Sequence, residues 1–415
     1  MKISYLLGAG AAAVAALAPC PGRAAGFDTP ILYSARHQAM GGTAIASVGD
    51  ASAGFHNPAG LQGVQGYGFI GDFSLILGKV RATPDQLAGN LESSTVKAPF
   101  FLLGAGYRLK DWLTLGLAGF PVASGGAEYD YLVGGTNVLD KTEIVFFEAT
   151  PMLSLNVPKD RILPGRLAFG AGYRVSYVTF DREKGDAKDP QVLNLKLSGV
   201  DATGFRLGAQ YRPIDALALG VVFRNKVTVT TKSERSKVFR QEATDGELDF
   251  TLPAKLGFGT RVDLGRFGFG NDVEWAFQSQ NRRPGLKGKL AGTPVEVPNV
   301  FDWQNGLTFR TGLEYRLGDG PTVPLRVGYI YDAAVTNGAY PSAFGTPPAP
   351  TRTVTAGAGF VAEHWQVNVA VSRRFGEAYV ADSALGKGCN FCSFGGQYQI
   401  TMTGLYIDAS IDLPK

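Results

Sequence analysis

Hydrophobic and polar residues alternate with a period of two along most of the chain that follows residue 65. Successive side chains of a β-strand point to opposite faces, so this period predicts strands with one apolar and one polar or small face. In residues 165–181 the apolar face carries Leu167, Phe169, Ala171, Tyr173, Val175 and Tyr177. Across the chain the pattern predicts fourteen strands, at 66–81, 98–109, 112–123, 143–157, 165–181, 192–212, 215–231, 246–264, 266–280, 303–317, 322–333, 351–362, 364–375 and 397–413.

The connections between these strands alternate in length. Long polar segments lie near 82–97, 124–142, 182–191, 232–245, 281–302, 334–350 and 376–396, and between them lie short turns such as 110–111 and 213–214. Outer-membrane barrels show this asymmetry, with short periplasmic turns and long outer loops. Lipid cannot satisfy unpaired strand edges, so the sheet must close. The pattern therefore predicts an all-β fold, a transmembrane antiparallel β-barrel of about 14 strands over residues 66–415.

Two predicted strands break the alternation. Asp201 falls on the lipid-facing side of the sixth strand unless a β-bulge is inserted near Gly199 or Gly204. In the last strand, two apolar groups have opposite parity, namely Ile400 and Met402, then Leu405, Ile407 and Ile411. We therefore expect a bulge in the sixth strand and a register shift at Gly404 in the fourteenth.

The bulk composition agrees with a barrel and not with a helical membrane protein. Mean hydropathy is +0.01 and 18% of the residues are charged, as expected when apolar and polar positions alternate. Past residue 25 no apolar run reaches the ~20 residues that a spanning helix needs. The formal charge is +4 with no run of Lys and Arg, which argues against nucleic acid as a partner.

Residues 1–24 have the layout of a removable secretory signal peptide. Lys2 supplies the positive charge, Ile3–Leu17 is an apolar stretch too short to span a membrane, and the small residues Gly22 and Ala24 precede the predicted cleavage site. Cys20 weakly suggests a lipoprotein signal instead, but a proline on each side argues against lipidation. The mature chain would then start at Ala25.

Two cysteines remain in the mature chain, Cys389 and Cys392. In a reducing cytosol their spacing would suggest a redox or metal site. In an exported protein it favours a local disulfide within a loop. A metal site would need further ligands, and no histidine or second cysteine pair lies nearby in the sequence, so we expect neither metal nor cofactor.

Residues 25–65 do not alternate and are rich in Gly and Ala, which favours a plug inside the barrel over a free periplasmic tail, because small residues allow close backbone packing. This segment resembles the N-terminal hatch of the FadL/TodX family of outer-membrane transporters for long-chain fatty acids and aromatic hydrocarbons. The resemblance rests on Arg36, Met40-Gly41-Gly42, Ala46, Asp50-Ala51-Ser52-Ala53 and Asn57-Pro58-Ala59-Gly60-Leu61. Weaker similarity follows along the barrel, for example at 116–121 and 252–256.

The resemblance implies a monomeric barrel in the bacterial outer membrane, surrounded by lipid and lipopolysaccharide, whose lumen is plugged by the hatch. It also implies passive transport, in which substrate binds in an apolar lumen pocket, the hatch shifts, and substrate leaves sideways through a wall gap at the third strand. Pro121 is the candidate cause of that gap, since proline cannot donate to the strand ladder, although a harmless proline near the strand's end is an equal alternative. One departure is the C-terminus, because the chain ends Asp412-Leu413-Pro414-Lys415 and not on the aromatic residue usual for such barrels.

Strand parity predicts a ligand pocket directly from the residues. A water-filled pore should have polar or small lumen positions, whereas several lumen positions are large and apolar, namely Phe100, Leu102, Phe120, Val122, Val178, Phe180, Val222 and Ile330. A concave apolar patch with a few polar groups is typical of a ligand site. Arg174 and Arg310 could hold a carboxylate by paired hydrogen bonds, or they could pair with lumen acids such as Glu148, Asp272 and Glu274.

Three other functions are alternatives to the transport of hydrophobic molecules. A lipase would need Ser and His together, but His37 and His56 lie in the predicted hatch and His364 at a turn, so we expect no enzyme. A FadL-like barrel serving as a structural or secretion-associated platform would not need a continuous apolar route through the lumen. A general porin would conduct ions, which a plugged barrel should not do well.

Overall fold

Antiparallel strands dominate the computed structural model, which describes residues 32–84, 91–133, 136–186, 192–238, 241–298, 300–340, 348–386 and 395–414. The signal peptide, the mature start and the pair Cys389 and Cys392 lie outside these residues, so the expectations for them stay predictions. The strands of the barrel are β1 (Gly66–Pro84), β2 (Val96–Lys110), β3 (Leu113–Val133), β4 (Thr136–Val157), β5 (Arg166–Asp186), β6 (Leu193–Ile214), β7 (Leu217–Arg224 and Val227–Val238), β8 (Gln241–Leu252 and Lys255–Leu264), β9 (Phe267–Ala276), β10 (Gly306–Leu317), β11 (Val323–Asp332), β12 (Thr351–Val361), β13 (Trp365–Val380) and β14 (Gly396–Pro414).

The sheet closes on itself between the first and last strands. β1 pairs with β14 from Gly66↔Pro414 to Pro84↔Gly396, and the other strands follow chain order around the barrel. The prediction of a closed antiparallel barrel of fourteen strands is therefore confirmed for the described part of the chain. We call the end that carries Gly66, Pro414 and the short turns the turn end, and the opposite end the loop end.

Some segments predicted to be long loops are extensions of strands. β3 and β4 continue to the pair Val133↔Thr136, so most of 124–142 is a hairpin. Likewise β7 and β8 continue to Val238↔Gln241 in place of the loop expected at 232–245. The alternation fades there because neither face of a hairpin beyond the bilayer has to be apolar. Three further strands lie at the loop end, Leu91–Glu92 against β1 and the hairpin Gly285–Leu290 and Thr293–Pro298 against β8.

The bulge predicted in β6 is present, and the shift predicted in β14 is not. β5 and β6 pair at Arg174↔Gly204 and at Ser176↔Asp201, so β6 holds one extra residue between the two pairs. The register shift expected at Gly404 is wrong, because β14 pairs without interruption with both β13 and β1. Ile400 is buried on the lumen side, and the lumen near the loop end is simply apolar.

The outward face is apolar, as contact with lipid requires. Large side chains are exposed all around the barrel, for example Phe73, Phe169, Phe258, Val354 and Ile407. Near the turn end, aromatic rings stack in neighbouring strands, with centroids 4.7 Å apart for Tyr67 and Tyr107 and 5.3 Å apart for Phe360 and Trp365. Aromatic girdles of this kind lie at the membrane interface.

Residues 32–65 fill the lumen, and we call them the plug. They form a short helix, α1 (Ala35–Ala39), and two 3-10 turns, Ala51–Gly54 and Pro58–Gly63. Nearly all of their side chains are buried. No helix in the described residues is long and apolar enough to cross a membrane.

Glycines in the barrel wall allow the plug backbone to approach closely. A Cβ atom on Gly328 of β11 would lie 2.0 Å from the Gly41 backbone nitrogen, and one on Gly312 of β10 would lie 2.3 Å from the Met40 carbonyl oxygen. Gly41 itself has φ +66°, a conformation that favours glycine. The plug is therefore fitted to β10 and β11 by shape.

Replacing Gly328 by Val should unseat this part of the plug, because the new side chain has to occupy space filled by the Gly41 backbone, and overpacking costs about 1–3 kcal/mol. We expect the barrel to assemble and its ion conductance in planar bilayers to rise above that of the wild type. Gly320→Ala is the control, since nothing lies within 4 Å of its Cβ position. Equal conductance of the two variants would contradict the packing argument.

Candidate functional site

The apolar lumen residues predicted from strand parity mostly come together. Phe100, Leu102, Phe120, Val122 and Val178 are buried in one cluster, and Phe180 packs against it. Val222 and Ile330 are also buried but lie outside this cluster. Six of the eight residues expected to line a pocket therefore share one region of the lumen.

The cluster is larger than the sequence predicted. Further members come from four other strands, namely Ile144, Phe146, Leu197, Val227, Val229, Leu248, Phe250 and Leu252, with Trp303 and Val335 from the loop end. Ile144 and Phe146 share the parity of the inward-facing Glu148 and lie within the predicted strand 143–157, so strand parity could have identified them. β7 and β8 are each broken in the middle, and the alternation of inward and outward side chains changes at the break. The sequence did not show these breaks, so it did not show which side chains beyond them face the lumen.

Contacts between aromatic rings extend through the cluster from the loop-end parts of the strands to the plug. Phe250 contacts Phe180 with ring centroids 5.1 Å apart and Phe146 at 6.2 Å. Deeper in the lumen, Phe120 lies 5.3 Å from Phe55 and 5.8 Å from Tyr33, both of which belong to the plug. The apolar region thus ends on the plug at the level of Phe120.

The barrel wall is interrupted beside Phe120. Pairing between β2 and β3 runs from Lys110↔Leu113 to Leu103↔Gly119 and ends there, although β2 stays paired with β1 and β3 with β4. β3 also has an irregularity between Pro121 and Ala123. Nearer the loop end, the Ser94 amide donates to the Glu128 carbonyl at 2.8 Å. A stretch of wall between these points has no β2–β3 ladder, and Pro121 lies at its lower edge.

Tyr33 of the plug closes this stretch from inside. Its hydroxyl donates to the Pro121 carbonyl oxygen at 2.6 Å, and its side chain is fully buried. The next residue, Ser34, has φ 62°, which is unusual for a residue other than glycine. Ser34 is held by its hydroxyl, which donates to the Asp408 carboxylate at 2.7 Å. The start of the described plug is therefore strained and tied to two places in the wall.

A small charged cavity lies below the apolar cluster. Its volume is about 60 Å³, and its lining includes Phe55, His56, Val122, Val222, Arg206, Arg224, Lys255, Arg310, Asp272 and Glu274. Lys255 and Arg310 contact Glu274 at 3.0 and 3.5 Å. Asp272 accepts hydrogen bonds from the Ala44 and Ile45 amides of the plug at 2.8 and 3.1 Å. Some of the charges therefore hold the plug.

Glu148 and two arginines form a buried group behind this cavity. Arg174 Nε donates to Glu148 at 2.7 Å, and Arg206 Nη2 donates to it at 3.3 Å. All three side chains are almost completely buried. Arg174 also donates to the Asn225 carbonyl at 2.9 Å and does not line the cavity, whereas Arg310 does.

Arg206 was not singled out from the sequence and lies between the charged and apolar regions. Its guanidinium carbon is 6.0 Å from the ring centroids of both Phe55 and Phe120. Its Nη1 atom is buried with no hydrogen-bond partner. Arg206 lies between the outward-facing Phe205 and Leu207, so strand parity on the turn-end side of the bulge was the signal that could have identified it.

The hatch motif joins the plug to the wall. Asn57 Nδ2 donates to the Ile45 carbonyl within the plug at 2.8 Å and to the Ala209 carbonyl of β6 at 3.2 Å. Asn57 also caps the turn that starts at Pro58, by accepting from the Ala59 amide at 3.1 Å. A Cβ on Gly60 would lie 2.4 Å from the Val48 carbonyl oxygen, so this glycine permits close packing within the plug.

The plug histidines are structural. His37 and His56 have ring centroids 4.9 Å apart, and each has a ring nitrogen within hydrogen-bond distance of a backbone carbonyl oxygen, that of Thr43 or Tyr33. Burial lowers the pKa of His37 to about 3, and burial also lowers the pKa of His56 well below its usual value. Both rings are therefore neutral near pH 7. Across the described segments, no set of three or more His, Cys, Asp or Glu residues is placed to hold a metal ion.

Comparison with known proteins gives one family and a set of similar structures. The family model described as outer membrane protein transport protein (OMPP1/FadL/TodX) matches residues 17–404. A Pseudomonas aeruginosa FadL homologue has TM-score 0.74 at 16% identity, covering 94% of this chain and 100% of its own. The Pseudomonas putida toluene transporter TodX has TM-score 0.67 at 18% identity, covering 92% and 99%. The Ralstonia pickettii toluene transporter TbuX has TM-score 0.64 at 14% identity, covering 92% and 98%. No match was found among curated protein sequences.

Glu148→Gln should destabilise the barrel, because Arg174 and Arg206 would remain buried without their carboxylate. Breaking a buried ion pair from one side costs about 3–5 kcal/mol. We expect the free energy of unfolding, measured in urea with lipid vesicles, to fall by about that amount. Glu143→Gln is the matched control, since Glu143 lies on the same strand and is exposed. Equal stability of the two variants would show that the buried group contributes little.

Proposed function

The chain belongs to the FadL/TodX family of outer-membrane transport proteins, and we propose that it carries hydrophobic small molecules passively across the outer membrane. One observation carries this proposal. The buried apolar cluster extends from Leu248 and Phe250 near the loop end to Tyr33 and Phe120, beside the stretch of wall that has no β2–β3 ladder. With the turn end in the periplasm, the loop end meets the molecules that arrive from outside.

The contacts suggest a sequence of steps for transport. A molecule that enters from the loops dissolves among the apolar side chains above Phe120. Further descent is blocked by Tyr33 and Phe55, so the start of the plug has to shift and the bond from Tyr33 to the Pro121 carbonyl has to break. The strained Ser34 is a suitable point of movement, since strain in the closed state lowers the cost of leaving it. The molecule then leaves sideways past Pro121.

The alternative functions fit the geometry less well. A general porin needs an open aqueous channel, but residues 32–65 occupy this lumen. A structural or secretion-associated platform does not require an apolar route that ends at an interrupted wall. Membership of a transport family supports a function without catalysis, and the neutral, carbonyl-bonded His37 and His56 have no place in a hydrolytic site.

The charged cavity favours substrates that carry an anionic group as well as an apolar body. Four cations and two carboxylates line it, namely Arg206, Arg224, Lys255 and Arg310 with Asp272 and Glu274. Arg206 adds a buried N–H without a partner directly below the apolar cluster. A carboxylate bound there would gain charge-assisted hydrogen bonds, with its chain lying along Phe120 and Phe100. Long-chain fatty acids fit this description better than toluene does.

We also propose that the protein acts as a monomer surrounded by lipid and lipopolysaccharide. The pocket, the plug and the interrupted wall all belong to a single barrel, so transport needs no second copy. Exposed apolar side chains around the barrel provide the surface for lipid, and ion pairs such as Lys79–Glu92 and Arg81–Glu92, at 2.7 and 2.8 Å, lie at the loop end.

Replacing both Phe100 and Phe120 by Asp should strongly reduce uptake of labelled fatty acid, since it places two charges in the apolar route. Both residues face the lumen, so assembly in the outer membrane should continue. Uptake by expressing cells is the measurement, and heat-modifiable migration of the folded barrel is the assembly control. Unchanged uptake by a correctly assembled variant would show that the pocket lies elsewhere.

Arg206→Met should separate acidic from neutral substrates. The loss of a hydrogen bond between charged groups lowers uptake of a long-chain fatty acid about tenfold, while toluene uptake should stay near the wild-type value. Arg161→Met, in an exposed turn, is the control. A similar loss for both substrates would indicate a structural role, and no loss for either would exclude Arg206 from binding.

A further inference from the structure

An apolar groove lies on the lipid-facing side of the barrel, directly beside the interrupted wall. Its volume is about 710 Å³. It extends across β13, β14, β1, β2 and β3 and reaches Ala149 of β4. Its upper edge is the pair Leu103↔Gly119, which is also the last pair of the β2–β3 ladder. The groove and the opening in the wall are therefore adjacent.

Small residues create the depth of this groove. Gly71 of β1 pairs with Ala409 of β14 and with Leu103 of β2, and Gly119 of β3 pairs with Ala149 of β4. The cross-strand partners of Leu103 are Gly71 and Gly119, so no large side chain lies on either side of it. Its side chain is therefore 62% exposed. Larger residues, among them Phe69, Leu117 and Trp365, bound the groove towards the turn end.

Two aromatic side chains cover the opening on the lipid side. Phe101 of β2 and Phe147 of β4 have ring centroids 6.2 Å apart, so they meet across β3, which lies between their strands. A Cβ on Gly119 would lie 3.3 Å from the Phe147 ring. Tyr33 closes the opening from the lumen, and this pair closes it from outside, directly above the groove.

The groove is separated from the lumen cluster by a single thickness of sheet. Ile70 and Ala118 both line the groove and belong to the buried cluster. A molecule that passes between β2 and β3 therefore reaches the groove without crossing water.

We propose that this groove is the first binding site of the transported molecule outside the barrel, and that its occupant is the hydrocarbon part of that molecule. This inference rests on the proposed function. The volume falls within the range of small-molecule sites, about 300–1,000 Å³. No charged side chain lines the groove, so it suits an alkyl chain or aromatic ring and not a carboxylate. Displacement of the Phe101–Phe147 pair connects the opening to the groove.

Gly71→Leu tests the groove without disturbing the lumen. The Cβ position at Gly71 lies 3.8 Å from Leu103 Cδ2, an ordinary contact, so the new side chain fills the groove and the barrel should fold normally. We expect transport of a labelled fatty acid to slow about tenfold, because the leucine side chain takes space that a methylene group of the fatty acid would otherwise occupy in an apolar site. Lumen affinity, measured by displacement of a fluorescent fatty acid from purified protein, should not change.

Ala356→Leu is the matched control, because Ala356 is an exposed residue of β12 whose neighbours Val354 and Ala358 also face lipid. If the wild type transports and Gly71→Leu transports as fast as Ala356→Leu, the groove has no role and this proposal is overturned. If the wild type itself transports neither fatty acid nor toluene, the proposed function fails first. The two failures are thus distinguishable.

Photolabelling identifies the occupant directly. A fatty acid that carries a diazirine should label the peptides containing Leu103 and Leu117, and unlabelled fatty acid should compete. Equal labelling by a diazirine phospholipid, without competition, would mean that the groove holds membrane lipid, and crosslinked dimers would mean that it holds a second copy. Either result would contradict the proposal.

Discussion

Lipid offers no hydrogen bonds to a backbone, so each polar group of a strand in the membrane has to find its partner within the protein. This constraint explains the closure of the sheet between β1 and β14, and it also applies where the ladder between neighbouring strands is interrupted, as between β2 and β3. Beyond Leu103↔Gly119, the edges of β2 and β3 face each other without a ladder. Pro121 has no N–H to leave unpaired there, and Tyr33 supplies a donor to its carbonyl. The plug thus completes the wall at this interruption.

The lumen is divided into two regions with different physical chemistry. Towards the loops, aromatic and aliphatic side chains pack without charges, so the region can accept an apolar guest at the expense of some internal packing. Below Phe120 the lumen is charged. Asp272 accepts a hydrogen bond from the plug backbone, and Glu274 forms an ion pair with a lysine of the wall. Arg206 lies at the boundary, bound to Glu148 on one side and close to Phe55 and Phe120 on the other.

The sequence predicted the architecture well because lipid imposes a strict period on every strand. Alternation in residues such as Leu167 to Tyr177 was enough to find the strands, and Asp201 revealed the bulge in β6. The same reasoning failed where lipid no longer acts. Ile400 and Met402 suggested a shift at Gly404 because an apolar lumen resembles a lipid face in sequence, and hairpins beyond the bilayer lost their period. Leu197 and Phe250 depended on a bulge and a strand break whose positions decide which way the side chains point.

The plug and the pocket are held by different kinds of contact. The plug fits the wall through backbone approach at Gly312 and Gly328, through a hydrogen bond from Asn57 to the Ala209 carbonyl, and through plug amides that donate to Asp272. The pocket is built mainly of side chains on the outer halves of the strands and ends on Tyr33 and Phe55 of the plug. Substitutions there can therefore retune which cargo is accepted while the machinery that seals the membrane stays intact. In a scaffold of this kind, selectivity can diverge between related proteins while the seal across the membrane is kept.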